Sequence, residues 1–262
     1  MKIVVCIKQV PGSSQVEIDP DTGVLIRDAK NTKMNPYDLY AIETAVRFKE
    51  FNGAAVTAIS MGPPQAEQVL REALWMGCDE AVLLSDRKFA GADVVATSYT
   101  IAAGIKKQGE FDLIICGKQT TDGDTAQVGP EIAEHLKIPH ISYVDKIVEI
   151  KNNSIVVSVS MDKTVEIWEI KYPCLITVDK GIFTPRLPSY KRGLACKDYK
   201  IKVLGLADMD DQNENNYGLK GSPTQVERMF PPERLNDKEM WHDNPDVLAG
   251  KMIKKLKDLK VL

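Results

Sequence analysis

The first half of the chain alternates short apolar runs with longer amphipathic stretches. The apolar runs are rich in β-branched residues and bounded by Gly, Pro or charge, as in strands buried on both faces; they cover residues 2–7, 55–60, 80–84 and 111–116. The stretches between them repeat apolar residues with the helical period; they cover residues 36–50, 63–76, 92–107 and 126–136. This alternation predicts an α/β fold, a Rossmann-like open parallel sheet with helices on both faces.

The pattern changes after about residue 140. Residues 147–150 and 154–160 alternate apolar and polar positions around Asn152-Asn153, which predicts antiparallel strands joined by a turn. A smaller hairpin is predicted inside the first crossover, where residues 16–18 and 24–26 flank a turn rich in Asp, Pro and Gly.

The C-terminal part has weaker periodicity. A last apolar strand is predicted over residues 174–178, but residues 181–200 are rich in Pro, Lys and Arg and show no period, which predicts an extended surface arm. One amphipathic helix is predicted near the end, over residues 247–256. We therefore predict a nucleotide-binding α/β domain over residues 1–180 and an arm and tail over residues 181–262 that pack on something other than this domain.

Composition and charge narrow the function classes. The 262 residues include 34 Lys and Arg against 37 Asp and Glu, and the net charge of −3 gives no reason to expect a nucleic-acid partner. The absence of a signal-like start or of 18 consecutive apolar residues predicts a cytoplasmic protein without a membrane span. The five cysteines show no C-x-x-C, the three histidines show no metal spacing, and G-x-S-x-G is absent. We expect buried thiols, no zinc site and no serine nucleophile.

The segment Cys116–Pro130 is the strongest candidate for chemistry. It lies where a parallel strand ends and a helix begins, which is where open α/β sheets bind ligands and phosphates. Gly117 and Gly123 let the backbone come close to a ligand, Lys118 supplies a cation, and hydroxyls come from Thr120, Thr121 and Thr125. The segment matches neither standard phosphate-binding motif, so a polar loop with a turn at Asp122-Gly123 is the alternative. Asn35 is likewise either a ligand contact or an ordinary helix N-cap.

Five blocks of sequence together resemble the β subunit of electron transfer flavoprotein. They are residues 7–11, 35–38, 61–66, 73–79 and 117–130, in the family's order over nearly the whole chain. The resemblance implies an adenine-nucleotide-binding domain of this fold that pairs with an α subunit carrying a mobile flavin. Because the flavin carries the chemistry in such proteins, no side chain is assigned as catalytic.

The family's nucleotide contacts, carried over residue by residue, fall at the ends of three strands and at the start of the first helix. They are Cys6, Asn35, Pro36, Tyr37, Asp38, Met61, Gly117, Lys118, Gln119, Thr120, Thr121, Asp122, Gly123, Asp124, Thr125, Ala126, Gln127 and Val128. The same edge of the sheet is indicated by the ligand rule for open α/β folds.

Two stretches resemble the electron-bifurcating members, which hold FAD in this site, more than the simple carriers, which hold AMP. In the first, Gly123 and Ala126 leave room for a pyrophosphate at a helix start. The second is the tail segment Gly221, Ser222, Pro223 and Thr224. The resemblance then implies hydride transfer from NADH, with electrons passing to ferredoxin and, through the α-subunit FAD, to a flavin-dependent dehydrogenase. Two alternatives stay open: a carrier and docking subunit that holds AMP, and an adenine-nucleotide-binding protein of the stress-response kind.

The arm departs from the family pattern. Thr184-Pro185-Arg186 is followed by Leu187-Pro188 where members commonly have Tyr or Phe, and the later Met-Lys-Ala-Lys is replaced. The departure leaves two partner classes, an acyl-CoA dehydrogenase and a 2-hydroxy-acid (lactate-type) dehydrogenase. Its mixed basic and apolar character predicts a docking element, with a solvated loop as the alternative. The docking residues are Arg186, Tyr190, Lys191, Arg192 and Leu194.

Overall fold

The protein, in a computed structural model, is described over residues 1–12, 17–18, 25–26, 32–226 and 238–262. The strands are β1 (Lys2–Cys6), β2 (Gln9–Pro11), β3 (Glu17–Ile18), β4 (Leu25–Ile26), β5 (Thr32–Met34), β6 (Ala55–Met61), β7 (Glu80–Leu84), β8 (Leu113–Gly117), β9 (His140–Ile150), β10 (Ser154–Ser160), β11 (Val165–Lys171), β12 (Cys174–Val178) and β13 (Lys202–Leu204). The α-helices are α1 (Pro36–Asn52), α2 (Glu67–Met76), α3 (Val94–Lys106), α4 (Val128–Leu136), α5 (Tyr190–Ala195) and α6 (Pro245–Asp258). The four strands and four helices predicted for the first half are confirmed.

A nine-stranded sheet runs in the order β11-β10-β9-β12-β8-β1-β6-β7-β13. The seven strands from β9 to β13 in this order are parallel. In the middle of the sheet, Cys6 at the end of β1 pairs in register with Ile59 of β6 and Cys116 of β8. Since parallel strands end at one edge of a sheet, the carboxyl ends of β1, β6 and β8 lie together. The predicted parallel sheet is confirmed.

Successive side chains of the central strands enter two different cores, because the side chains of a strand alternate between its faces. Ile3 and Val5 pack in the core that includes buried residues of α1 and α2. Val4 and Cys6 pack in the core that includes buried residues of α3 and α4. Burial on both faces explains why these strands are apolar without alternation.

The antiparallel elements also follow the sequence pattern. β10 pairs with both β9 and β11, and β3 pairs with β4 in the predicted small hairpin. Residues 16 and 19–24 of that hairpin lie outside the described residues. β9 is longer than predicted and begins at His140, because its first residues pair parallel with β12 before its later ones turn to β10.

The boundary between the two compact units differs from the predicted one. The first unit is Met1–Gln225 and the second is Val226–Leu262, whereas the prediction separated residues 1–180 from 181–262. Residues 181–225 join the first unit because β13 extends the sheet beside β7, and because three apolar side chains enter the core, namely those of Leu206, Met209 and Tyr217. These side chains are irregularly spaced in the sequence, so no periodicity marks their burial.

Two further elements lie in the C-terminal part. The predicted terminal helix is confirmed as α6, and its first turn is capped by Asn244, whose side chain accepts a hydrogen bond from Val247 N–H at 3.0 Å. The prediction of an arm without helix over residues 181–200 is wrong at α5, which begins after the N-cap residue Ser189. In the described part of the chain, no helix is long and apolar enough to cross a membrane.

Candidate functional site

The candidate site lies at the carboxyl edge of the sheet, where β1 and β8 end and α1 and α4 begin. The loop from Lys118 to Gln127 connects β8 to α4 across this edge. Lys8, which follows β1, and Asn35, which precedes α1, contact this loop with their side chains. The structure therefore brings together the predicted residues from the first strand, the first helix start and the segment after β8.

Asn35 is the residue that ties α1 to the loop. Its side chain is fully buried; Nδ2 donates to Gln119 O at 2.8 Å, and Oδ1 accepts from Thr121 N–H at 3.2 Å. Asn35 does occupy the N-cap position of α1, but within the described chain its side chain makes no capping hydrogen bond. The amide thus pairs with the loop backbone through Nδ2 and Oδ1 rather than with the helix that it begins, and a ligand contact of Asn35 stays a prediction.

Asp38, on the first turn of α1, is buried against the ends of β1 and β8. Its carboxylate accepts from Lys8 N–H at 2.7 Å. Gly117 is required here, because a Cβ at this position would collide with the Asp38 carboxylate and the Tyr37 backbone. Burial raises the pKa of Asp38 to about 7, although hydrogen bonds from Asn35, Lys8 and Gly117 favour the charged form.

Both lysines of the site are paired with carboxylates. Lys8 Nζ lies 2.7 and 2.9 Å from the two carboxylate oxygens of Asp122. Lys118 Nζ lies 2.8 Å from Asp179 Oδ2 and 4.9 Å from the centre of the Tyr143 ring. The cation that the sequence suggested for a phosphate is therefore engaged inside the protein.

The loop reaches α4 through an unusual backbone path. Asp124 and Ala126 have φ values of 51° and 55°, a left-handed conformation that non-glycine residues rarely adopt. Gln119 Nε2 donates to Asp124 Oδ1 at 2.8 Å, and Asp124 N–H donates to Thr120 O at 2.9 Å, which hold the turn. The conformation costs about 1–2 kcal/mol per residue, so this loop shape is maintained against a local preference.

The start of α4 offers hydrogen-bond donors. Its first intrahelical bond is donated by Glu131 N–H to Gln127 O, so the amides of Val128 and Gly129 precede the helical ladder. Gln127 holds the N-cap position but, among the described contacts, makes no capping hydrogen bond. A Cβ on Gly129 would lie 2.6 Å from Thr177 Cγ2, so glycine lets α4 approach the sheet closely. Helix starts of this kind bind anions through N–H groups and the helix dipole.

Two predicted contacts lie beneath this edge. Cys6 and Cys116 pair in register on neighbouring strands, and both are buried. A hydrogen bond with Cys6, together with burial, raises the pKa of the Cys116 thiol well above its usual value. Cys116 is therefore a neutral packing group. All five cysteines are free thiols, and four are buried as expected. Met61 ends β6 and is half-buried.

The predicted tail segment lies at a neighbouring helix start. Ser222 and Thr224 both hydrogen-bond to Asp93, the N-cap residue of α3. Lys8, Asp93 and Asp179 were not among the residues predicted from the sequence. Lys8 follows a strand and Asp93 precedes a helix, which are local signals, but the pairing of each depends on residues 61 to 131 positions away.

Two arginines of the arm attach it to α1 and to the end of α2. Arg186 pairs with Glu43 (Nε to Oε2, 2.7 Å) and with Glu50 (Nη1 to Oε1, 2.6 Å) on α1. Burial opposes the charge of Glu43, but the Arg186 guanidinium outweighs it and lowers the pKa of that carboxyl. Arg192 donates to Leu74 O at 2.8 Å and to Cys78 O at 2.7 Å, at the end of α2.

Between and beyond these two arginines the arm exposes apolar side chains. Leu187, Tyr190 and Leu194 are 86%, 82% and 59% exposed. The two predicted docking arginines are thus engaged internally, while Tyr190, Lys191 and Leu194 point to solvent. The docking role of all five stays a prediction.

The chemistry available at the carboxyl edge is that of hydrogen-bond donors. Within the described ranges there is no cluster of three metal-ligating side chains. Backbone N–H groups at the start of α4 and exposed threonine hydroxyls fit the phosphate oxygens of a nucleotide.

Comparisons with known proteins give consistent results. Residues 22–203 match the model of the electron transfer flavoprotein domain. The chain is 46% identical over 258 residues to the electron transfer flavoprotein subunit beta of Clostridium acetobutylicum, with 98% of each chain covered. It is 42% identical over 264 residues to the caffeyl-CoA reductase-Etf complex subunit CarD of Acetobacterium woodii, with 100% of each covered. It is 41% identical over 249 residues to protein FixA of Azorhizobium caulinodans, covering 93% of this chain and 89% of that one.

Proposed function

This chain belongs to the electron transfer flavoprotein family as a β subunit, and from that membership we propose that it binds FAD at the carboxyl edge of its sheet and takes part in electron bifurcation. It pairs with an α subunit that holds a second FAD. FAD held at this edge would supply the redox chemistry of the proposed function, with NADH as hydride donor and, as electron acceptors, ferredoxin and, through the α-subunit FAD, a flavin-dependent dehydrogenase. The residues of this chain supply the binding and the orientation.

The observation that carries the proposal is the start of α4 at the carboxyl edge, where the amides of Val128 and Gly129 precede the helical hydrogen bonds. Asn35 fixes the backbone of Gln119 and Thr121, and the left-handed turn at Asp124 and Ala126 leads the chain into the helix. Val128 and Gly129 then present N–H groups where a pyrophosphate gains from the helix dipole, by up to ~1 kcal/mol per charge. Because Lys8 and Lys118 are already paired, we assign the binding of the phosphates to backbone groups and hydroxyls rather than to lysine.

The partner dehydrogenase is the part of the proposal that the relatives inform. CarD of Acetobacterium woodii is, by its name, a subunit of a caffeyl-CoA reductase-Etf complex. That name supports a dehydrogenase acting on a CoA ester, while the altered arm sequence after Arg186 supports a 2-hydroxy-acid dehydrogenase of the lactate type. We propose that either enzyme would dock on the exposed apolar residues of the arm, Leu187, Tyr190 and Leu194.

The proposal is tested by counting cofactors. The chain is co-expressed with its α subunit, and the purified heterodimer is denatured to release FAD and AMP for chromatography. We expect two FAD per heterodimer, and anaerobic NADH should bleach the flavin absorbance. One FAD together with one AMP would instead identify a carrier that holds AMP as a structural group. AMP without flavin in either subunit would favour a nucleotide-binding protein with no redox role.

A charge placed at the helix start locates the site. Thr125→Glu puts a carboxylate on the exposed loop beside the start of α4, and like charges in such a position cost several kcal/mol, which is a loss of at least ~100-fold in affinity. We expect the variant heterodimer to retain the α-subunit FAD alone. The matched control is Thr164→Glu, which adds the same charge to the exposed turn between β10 and β11. Full FAD content in the Thr125 variant would exclude this loop as the phosphate site.

A further inference from the structure

Asp93 joins two distant parts of the first unit with one carboxylate. Its Oδ1 accepts from Ala96 N–H at 3.1 Å, which caps α3. Its Oδ2 accepts from Thr224 N–H at 3.0 Å and from Thr224 Oγ1 at 2.7 Å. One side chain therefore starts a helix and also holds a residue 131 positions later in the chain.

The hydrogen bonds of Ser222 reinforce this junction. Its Oγ accepts from Asp93 N–H at 2.8 Å and donates to Gly218 O at 2.7 Å, and the residue is buried. Just before it, Leu219 N–H donates to Ala90 O at 3.0 Å. Three residues of the segment from Leu219 to Thr224 are thus hydrogen-bonded to the residues just before α3. Asp93 is the partner of two of them, Ser222 and Thr224.

The start of α3 is also in contact with the start of α4. Ser98, in the second turn of α3, is fully buried and donates from Oγ to Glu131 Oε2 at 2.9 Å, in the first turn of α4. Both helices pack in the same core on one face of the sheet. A segment bonded to the N-cap of α3 is therefore held at the same edge as the helix start assigned to the phosphates.

We propose that Asp93 is a positioning residue, which holds Ser222 and Thr224 at the carboxyl edge so that they complete the nucleotide site beside α4. The inference rests on the proposed function, because it assumes a nucleotide at the start of α4. Asp93 itself acts through the tail and does not touch the nucleotide. A carboxylate is needed because each of its oxygens receives different donors, whereas an amide offers one acceptor. Burial opposes the charge of Asp93, but the hydrogen bonds from Thr224 and Ala96 outweigh it and lower the pKa of that carboxyl.

The test uses variants that separate the helix cap from the tail contact. Asp93→Asn keeps an acceptor for Ala96 N–H and loses the acceptor for Thr224. Thr224→Val removes the hydroxyl and keeps the shape of the side chain, and Thr224→Ser is the matched control that keeps the hydroxyl. Each variant is purified as the heterodimer, and three quantities are measured: amide hydrogen exchange of residues 218–225, the dissociation rate of the β-site FAD, and the thermal midpoint.

We expect faster exchange of the segment and FAD dissociation about tenfold faster in Asp93→Asn and Thr224→Val, because each loses a hydrogen bond to a charged group. Thr224→Ser should behave as wild type, and the thermal midpoint should change little in any of the three. Faster exchange with unchanged FAD dissociation would overturn the proposal. The proposal would also be overturned if the thermal midpoints of Asp93→Asn and Thr224→Val fell far enough to account for all of their FAD loss, and Thr224→Ser showed the same fall. A wild-type heterodimer that holds no nucleotide in this subunit would instead refute the proposed function, so the two failures are distinguishable.

Discussion

The loop from Lys118 to Gln127 and the arm over residues 181–200 are both polar, non-periodic stretches, yet the protein fixes them in opposite ways. The loop is held from outside, since the Asn35 side chain grips its backbone. The arm holds itself, since its own Arg186 and Arg192 reach acceptors on α1 and at the end of α2. The loop is thereby left with backbone donors to present, and the arm with exposed apolar side chains.

In such stretches the groups available for function are those without an internal partner. Charged and amide side chains are the first candidates in a sequence, but here Asn35, Lys118 and Arg192 are spent on internal contacts. Within the described chain, the groups without an internal partner are the backbone N–H groups at the end of the loop and the exposed apolar side chains of the arm. They suit the two roles proposed above, nucleotide binding at the loop and partner docking at the arm, and variants in each stretch test these roles separately.

The strongest change is expected from Asn35→Leu, which removes the side chain that holds the loop. The substitution leaves Gln119 O and Thr121 N–H without the amide that pairs them, at about 0.5–1.5 kcal/mol for each hydrogen bond lost. We expect the heterodimer to lose most of its β-site nucleotide and to unfold at a lower temperature. Cofactor content after gel filtration and thermal denaturation measure this.

The control for Asn35 is Asn35→Asp, which keeps an acceptor for Thr121 N–H and loses the donor to Gln119 O. At neutral pH it should also lose nucleotide, because its carboxylate would be buried facing Gln119 O and beside Asp38, and retention should recover as the pH falls and this carboxyl takes up a proton that it can donate to Gln119 O. Docking of the acceptor dehydrogenase should be unaffected in both variants once flavin is supplied in excess. Wild-type nucleotide content in Asn35→Leu would mean that the loop keeps its shape without this amide.

The next effect concerns pH at the same edge. Burial raises the pKa of Asp38 from 3.8 to about 7. Between about pH 4 and pH 7, Asp38 is therefore protonated in the folded protein and ionised in the unfolded chain. The contribution of Asp38 to stability is therefore fully present below about pH 4 and is lost as the pH rises to about 7, by at most ~4 kcal/mol. Asp38→Asn has no such proton to lose.

The measurement compares the thermal midpoints of wild type and Asp38→Asn at intervals from pH 5 to pH 7.5. The difference between the two proteins should shift in favour of the Asp38→Asn variant as the pH rises, since titration of other groups is common to both. Parallel curves would show that Asp38 keeps an ordinary pKa in the folded protein. No comparable pH effect is expected from the exposed apolar residues of the arm.

Substitutions on the arm are expected to have the weakest effects, and they test its proposed docking role. Leu194→Ala removes an exposed apolar side chain and should lower kcat/KM for the acceptor dehydrogenase about tenfold, as for a docking anchor. Nucleotide content and NADH reduction of the flavin should be unchanged. Val203→Ala, which truncates another exposed apolar residue on β13, is the control.

Arg192→Met tests the anchor itself. It removes the guanidinium from Leu74 O and Cys78 O and should weaken docking by loosening the arm, while Leu194 is still present. If Leu194→Ala and Val203→Ala have equal, small effects on dehydrogenase turnover, the arm is a solvated loop. If Arg192→Met leaves turnover unchanged, the arginine is not needed to present the arm.

The sequence predicts the fold well because local pattern and burial agree. Residues 3–7 and 113–116 are apolar throughout, since β1 and β8 are covered on both faces. The position of Asn35 before Pro36 likewise marks the start of α1. What cannot be read locally is how a polar side chain is used: Asn35 has the signature of a cap, and its actual partners lie more than 80 positions away.

The arm shows the same limit more strongly. Arg186 and Arg192 have the charge expected of residues that steer a partner, but their acceptors lie on α1 and at or just after the end of α2, 114 to 143 positions earlier. The helix α5 is six residues long, too short for its period to be visible. Burial of residues 206–217 depends on scattered apolar side chains, which explains why the predicted domain boundary fell too early.

The two-arginine attachment of the arm has a consequence for how such proteins change partners. Arg186 and Arg192 join the arm to α1 and α2, on the face of the sheet opposite α3 and α4. Between these fixed points Leu187 and Tyr190 are exposed and can be changed without disturbing the cofactor edge, whereas Ser189 caps α5 and donates its N–H to Trp75 O at 3.1 Å. If the arm docks the dehydrogenase as proposed, exchanging Leu187, Tyr190 and Leu194 between relatives should transfer the choice of dehydrogenase and leave the cofactor content of the recipient unchanged.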